Sequence, residues 1–241
     1  MRNIAPTMKV IKYAIYIVVL LFACSPTYTL QSSDSKIIRV ESQIDSALLS
    51  IITPYQNRIE EQMNEVLTYT KNDLGKGKPQ STIGNFVTDL CLDYADAHLC
   101  VMNNGGLRTT IKQGNITRGK IYELMPFENE LVLVELNKDD YIKLINYIVS
   151  RGGEPFSGIT IIIDKHGKII RNSWPVNFKD GEKVRVLTSD YLANGGDKMS
   201  FFHDKNQEKV GIKLRDAIID YCSKHDTLDV HLDNRIKLED E

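Results

Sequence analysis

The chain has 241 residues, of which 42% are hydrophobic and 26% charged, the balance of a soluble domain able to bury a core. Thirty Lys and Arg face 32 Asp and Glu, a formal net charge of −2, which excludes a general basic field that draws in DNA or RNA. A small anionic ligand would then be held by a few local positive groups, so function is to be sought in a site.

Lys9 and Lys12 precede an apolar run over 14–23, and Cys24 comes next. A positive flank, an apolar stretch short for a bilayer span and a small residue before a cysteine read as an export signal over 1–24. The string LFAC resembles a bacterial lipobox, which implies that Cys24 is lipidated and becomes the mature N-terminus. An uncleaved anchor, or cleavage elsewhere, is the alternative. The lipobox reading places the protein in the bacterial cell envelope, lipid-anchored on the periplasmic or outer-membrane side. Residues 25–39 are rich in Ser and Thr without hydrophobic period and read as a flexible tether, and the folded domain is expected over 40–238.

Apolar residues recur every three or four positions over 41–69 (Ile44, Leu48, Ile52, Tyr55, Ile59, Met63, Val66), predicting an amphipathic helix bent at Pro54. A second helix is expected over 83–97, then a short buried strand at HLCVMN and an Asn-Asn-Gly-Gly turn. Thr117 caps a short helix to Leu124, before Pro126. Residues 130–136 read as a strand and 139–149 as a helix stopped by Gly152-Gly153. Strands are expected over 159–164, 168–172 and 183–189, and a closing helix over 207–223. Helices and strands intersperse without strict alternation, which predicts a mixed α/β (α+β) domain rather than a doubly wound parallel sheet. Besides Cys24 there are Cys91, Cys100 and Cys222, an odd number without CxxC spacing, so one disulfide and three buried thiols are both open.

Four segments, expected as loops, concentrate the unusual residues: TIGNFVTD (82–89), NNGGLR (103–108), MPFEN (125–129) and DYLANGGD (190–197). Each places Gly, Asn or Pro beside a residue able to contact a ligand. The order GN–TD, N-x-GG-x-R, PF-x-N, SG and an aromatic before LANGGD resembles the C-terminal domain of the 5′-nucleotidase family, a family that includes UDP-sugar hydrolases and 2′,3′-cyclic phosphodiesterases. The similarity runs over roughly 40–238, down to Asp233-Asn234-Arg235-Ile236.

The resemblance implies a layered α/β/β/α fold and a site that binds a nucleotide or nucleoside. Phe127 and Tyr191 match the aromatics that clamp the base, at about 1–3 kcal/mol per stacked base. Asn103 matches an amide that contacts the nucleoside, Arg108 an Arg beside phosphate or ribose, and Asp197 a carboxylate that accepts from both ribose hydroxyls. Gly105, Gly106, Gly195 and Gly196 let the backbone approach closely or take positive φ. The family's further phosphate-holding Arg, a few residues before GN, is not matched: the segment reads Lys76-Gly77-Lys78-Pro79-Gln80, with Lys76 or Lys78 as point-charge substitutes.

Whole family members carry a metallophosphatase domain with D-x-H and G-N-H-[DE] ligands, where two metals activate water. Here Gly84-Asn85 is followed by Phe86, and His98, His166, His203, His225 and His231 form no HxH or HExxH; His203-Asp204 and His225-Asp226 read as surface pairs. The expectation is no cofactor and no catalytic residue in this chain. The divalent metal pair would then sit on a separate metallophosphatase partner, making this the recognition half of a split 5′-nucleotidase, held to the membrane through Cys24. The alternative is a non-catalytic envelope lipoprotein that captures nucleotides or nucleosides. Neither reading involves nucleic acid.

Overall fold

The computed structural model describes Ser35 and residues 46–239. Cys24, the signal segment, nearly all of the tether and residues 41–45 of the expected first helix lie outside these. Contacts divide the chain between Ser46 and Ala47, and the fold is that of the second unit.

Helix α1 (Ser46–Met63) contains Pro54 and buries none of its residues; Leu49, Ile51, Ile52, Tyr55 and Ile59 are exposed. It is shorter than its apolar period suggested. Strand β1 (Val66–Thr70) begins after a turn, where Thr-Tyr-Thr favours an extended chain over a helix. Helix α2 (Thr82–Cys91) starts at Ser81, whose hydroxyl accepts from the Gly84 N–H at 3.1 Å. It tightens into a 3-10 turn at Leu92–Tyr94 instead of running to residue 97. The expected buried strand comes next as β2 (Leu99–Val101).

Strand β3 (Gly114–Thr117) leads into helix α3 (Arg118–Leu124), capped by Thr117, which accepts from Lys120 N–H at 3.2 Å. Strand β4 (Glu130–Leu136) and helix α4 (Lys138–Ser150) fall where the sequence places them. Asn137 caps α4, and Gly152 and Gly153 end it with φ of 71° and 105°. Next come β5 (Phe156–Ser157), β6 (Ile161–Ile163), β7 (Ile169–Asn172) and β8 (Val184–Ser189), with a single-turn helix α5 (Asp190–Ala193) directly after β8.

The expected closing helix over 207–223 is half strand. Its first part is β9 (Gln207–Lys213), its second helix α6 (Leu214–Lys224). Gly211 has φ 88°, incompatible with a helix, and Val210 and Ile212 both pack against the core, a period of two. Strands β10 (Thr227–Leu228) and β11 (Ile236–Leu238) end the described fold.

The central sheet has the order β5-β2-β8-β4-β9, with β2 and β8 parallel and the other pairs antiparallel. Its middle strands are buried on both faces, which explains the four successive apolar residues 131–134 of β4. Leu131, Leu133, Cys100 and Leu187 point to a core shared with α2 and α6. Val132, Val134, Leu136, Leu99, Val101 and Val186 point to the opposite core, filled by Tyr141, Leu144, Ile145 and Ile148 of α4. Two three-stranded sheets, β10-β1-β3 and β11-β6-β7, complete the mixed α/β architecture. Among the described residues no helix is long and apolar enough to cross a membrane.

The GN–TD segment, placed both in the helix expected over 83–97 and among the ligand-side loops, is the body of α2 and has a structural partner. Asp89 accepts both Arg235 guanidinium arms at 3.0 and 2.9 Å, Asp233 accepts at 2.7 Å, and Phe156 O accepts at 2.6 Å. Asn85 reaches His231 O at 3.3 Å and Asp233 at 3.4 Å. The motif thus fastens the closing Asp233–Ile236 turn, Arg235 itself being buried.

Candidate functional site

Strands β2 and β8 run side by side in one direction and β4 runs antiparallel to β8. The C-terminal ends of β2 and β8 and the N-terminal end of β4 therefore lie at one edge of the sheet, where ligand-binding loops gather. The three loops there, 103–108, 125–129 and 190–197, enclose a cavity of about 310 Å³ lined by Asn103, Gly105, Gly106, Arg108, Phe127, Asn129, Tyr191 and Asp197. A more open hollow of about 550 Å³ beside Lys138, Trp174 and Phe178 gathers no comparable set of polar groups.

Phe127 and Tyr191 are 40% and 47% exposed, so neither is a core aromatic; both present ring surface on the cavity wall. Asp197 lies beside them. Its Oδ2 accepts from Asn103 Nδ2 at 2.5 Å and its Oδ1 from the Tyr191 hydroxyl at 3.0 Å, while the Asp197 N–H donates to that hydroxyl at 3.3 Å. The backbone at Asp197 (φ 51°) and Lys198 (φ 67°) is left-handed, a strain of about 1 kcal/mol each that surrounding contacts must hold. One such contact is the Tyr147 hydroxyl of α4, which donates to Asp197 O at 2.8 Å. Burial raises the Tyr147 pKa, so this hydroxyl stays a donor throughout the neutral range.

The glycine pairs serve different ends. A Cβ on Gly106 would stand 2.7 Å from Asn103 Oδ1, and one on Gly196 would stand 2.5 Å from Tyr191 Cε1 and 2.6 Å from Tyr191 O. Each bare Cα is thus the seat of a side chain that lines the cavity. Gly195, with φ 86°, supplies the sharp turn between them.

Arg108 donates one long bond to Gly105 O (3.3 Å) and stands 6.0 Å over the Phe127 ring, its guanidinium otherwise open to solvent and ligand. Among the described residues it is the only cation lining the cavity. Lys76 Nζ donates to Leu107 O at 2.6 Å, at the back of the same loop, whereas Lys78 Nζ is taken by the Arg151 carbonyl. The Phe127 loop is held from behind. Buried Arg215 donates to Met125 O and Phe127 O at 3.4 and 3.3 Å and to Glu128, and it lies 4.3 Å over the Tyr122 ring. Hydrogen bonds from Lys213 and then Arg215 hold the Glu128 carboxyl down from 4.5 to about 2.

Two cavity features went unread in the sequence. Asn129 lines the cavity and is the last residue of the PF-x-N string, so its signal was present. Tyr147 carries no signal, being one aromatic among the buried face of a helix. Asn104, in the expected Asn-Asn-Gly-Gly turn, has no positive φ and braces the loop, its N–H donating to Glu154 at 2.7 Å and its amide to Gly153 O at 3.0 Å.

Cys91, Cys100 and Cys222 are free, buried thiols, and burial pushes Cys222 up to about 12. His203 pairs with Asp204 at 2.9 Å on the surface, but His225 stacks on the Tyr221 ring at 4.0 Å instead of pairing with Asp226. His98 Nδ1 accepts the Arg185 N–H at 2.8 Å. Among the described residues no group of three or more His, Cys, Asp or Glu side chains is placed to hold a metal ion.

Sheet-edge loops thus bring two exposed aromatics, a guanidinium, an amide and a carboxylate to one small cavity, the composition that small-molecule sites have in general. Residues 63–204, more than half of the chain, match the model of the 5′-nucleotidase C-terminal domain, and the chain belongs to that family. It is 25% identical over 201 residues to a 5′-nucleotidase of Vibrio parahaemolyticus, covering 78% of this chain and 35% of that one. An apyrase of Tabanus yao is 23% identical over 223 residues, covering 76% and 40%. Among solved structures, a 5′-nucleotidase precursor of Thermus thermophilus superposes with a TM-score of 0.67 at 25% identity, over 81% of this chain and 43% of that one. The chain thus spans about a third of the first of these relatives.

Proposed function

We propose that this domain recognises a nucleotide through its base and ribose, and that it is the recognition half of a split 5′-nucleotidase whose metallophosphatase partner acts in trans. The observation that carries the recognition reading is the pair of half-exposed aromatics, Phe127 and Tyr191, on the walls of one cavity with Asp197, Asn103 and Arg108. A base between two rings gains dispersion and sheds water on both faces. Asp197 accepts the ribose hydroxyls, and Arg108 offers a planar fork of donors to ribose or phosphate oxygens.

Phosphate-ester cleavage in this proposal belongs to residues outside those described, on a partner that supplies a divalent metal pair. Support comes from the family membership and from the relatives named 5′-nucleotidase, in which the matched region is about a third of the length, as in the 35% of the Vibrio protein. Lipidation of Cys24 would hold the recognition half at the bacterial envelope membrane, beside such a partner. One observation favours the second reading, a stand-alone nucleoside-binding lipoprotein: among the described residues Arg108 is the only cation lining the cavity, while Lys76 and Lys78 donate to the Leu107 and Arg151 carbonyls outside that lining.

The test has two arms. The purified chain is mixed with a separately encoded metallophosphatase domain from the same genome, a divalent metal and AMP, and phosphate is measured. Release that requires both proteins supports the split enzyme. Binding of nucleoside without release under any pairing rejects it in favour of the second reading.

A further inference from the structure

Tyr191 does more in this site than offer a ring. Its hydroxyl stands 3.0 Å from Asp197 Oδ1 and receives the Asp197 N–H at 3.3 Å, closing a small ring of hydrogen bonds across the 191–197 loop. The ring position is fixed independently, since it lies directly over the bare Cα of Gly196. On the other side Asn103 Nδ2 holds Asp197 Oδ2 at 2.5 Å, and the Asn103 amide is itself seated over Gly106.

A carboxylate has about four acceptor sites, two on each oxygen. The protein fills one on Oδ1 and one on Oδ2, which leaves one on each. A cis-diol, the 2′,3′ edge of a ribose, carries two donors to match. We propose that Tyr191 is the sugar-specificity residue of the site: its hydroxyl, opposite Asn103, pre-orients Asp197 so that the remaining acceptor of each oxygen takes one ribose hydroxyl. The preferred ligand is then a nucleoside or nucleotide with both hydroxyls free, and a dideoxynucleoside, lacking both donors, binds more weakly. Tyr191 acts on the sugar through Asp197 and is in that respect a positioning residue.

This inference rests on the nucleoside-recognition reading, and the experiment separates the two. Calorimetric titrations of the whole chain use adenosine and 2′,3′-dideoxyadenosine, with wild type, Tyr191→Phe, Asp197→Asn and the double variant. Wild type should bind adenosine more tightly than the dideoxy compound. Tyr191→Phe should lower that ratio about fivefold, the loss of roughly one hydrogen bond. In the Asp197→Asn background the same change should leave the ratio where Asp197→Asn alone puts it, because both act through one group. A ratio unchanged or raised by Tyr191→Phe, or lowered equally in both backgrounds, overturns the assignment of the hydroxyl while leaving nucleoside recognition intact. Wild type that binds neither compound overturns the recognition reading itself.

Discussion

At the scale of single residues the site depends on where side chains can lie, and glycine decides much of that. Gly196 is needed for the space its missing Cβ leaves, because a methyl there would meet both the Tyr191 ring and the Tyr191 carbonyl. A backbone carbonyl cannot swing aside as a flexible side chain does. Gly196→Ala should therefore cost about 1–3 kcal/mol in unfolding free energy and displace the ring from the cavity wall. Chemical denaturation and nucleoside titration read the two effects; a variant with unchanged stability and affinity contradicts the close approach. Much of this was legible in the sequence. Paired glycines beside Asn103 and Asp197 announced close contact, but not which side chain each would seat. Tyr147 was illegible for a different reason: it reaches the backbone carbonyl of a residue 50 positions away, and no local pattern encodes that.

At the scale of elements, the Phe127 ring on the cavity wall is carried on a loop pinned by the start of α6. Arg215 is 5% exposed and bonds two carbonyls of that loop together with Glu128. Arg215→Met should cost about 2 kcal/mol, with the 125–129 loop losing hydrogen-exchange protection ahead of the rest of the fold. Uniform protection across the fold would remove Arg215 from this role. Glu128 gives the same cluster a pH signature. Its folded pKa is depressed, from 4.5 to about 2, so its stabilising contribution is fully present above the unfolded value and is lost as pH falls through the folded one. Wild-type stability should drop between pH 4.5 and about 2, and part of that slope should vanish in Glu128→Gln. An identical acid limb in the variant contradicts it. Elements were readable where period and caps agreed, as at α3, β4 and α4. They were misread at β1 and β9, where apolar residues a few positions apart fit both periods and only pairing within a sheet decides. Gly211 was the local warning at β9.

At the scale of the whole molecule, residues far apart in sequence close the fold. Arg235 joins Asp89, Asp233 and Phe156 O, tying the last strand to α2 and β5. Arg235→Ala leaves these acceptors without their shared donor and should lower global stability by about 3 kcal/mol. A loss under about 1 kcal/mol would contradict the closing role. The order of motifs along the chain made the family and the mixed α/β class legible in the sequence itself. The assignment of GN–TD to the ligand side was not sound, since a motif string carries no label saying whether it binds a ligand or another part of its own chain. The apolar period of α1 was legible too, but a period reports amphipathicity and not what covers it, and the apolar residues of α1 are exposed.

The central claim is that the cavity between the 103–108, 125–129 and 190–197 loops binds a nucleoside moiety between Phe127 and Tyr191. Its most direct test is calorimetry of the purified chain with adenosine and AMP, repeated on Phe127→Ala, Tyr191→Ala and the pair. Saturable one-to-one binding is expected, weakened about tenfold in each single variant, with circular dichroism unchanged. No saturable binding, or wild-type affinity in the folded double variant, would contradict the account.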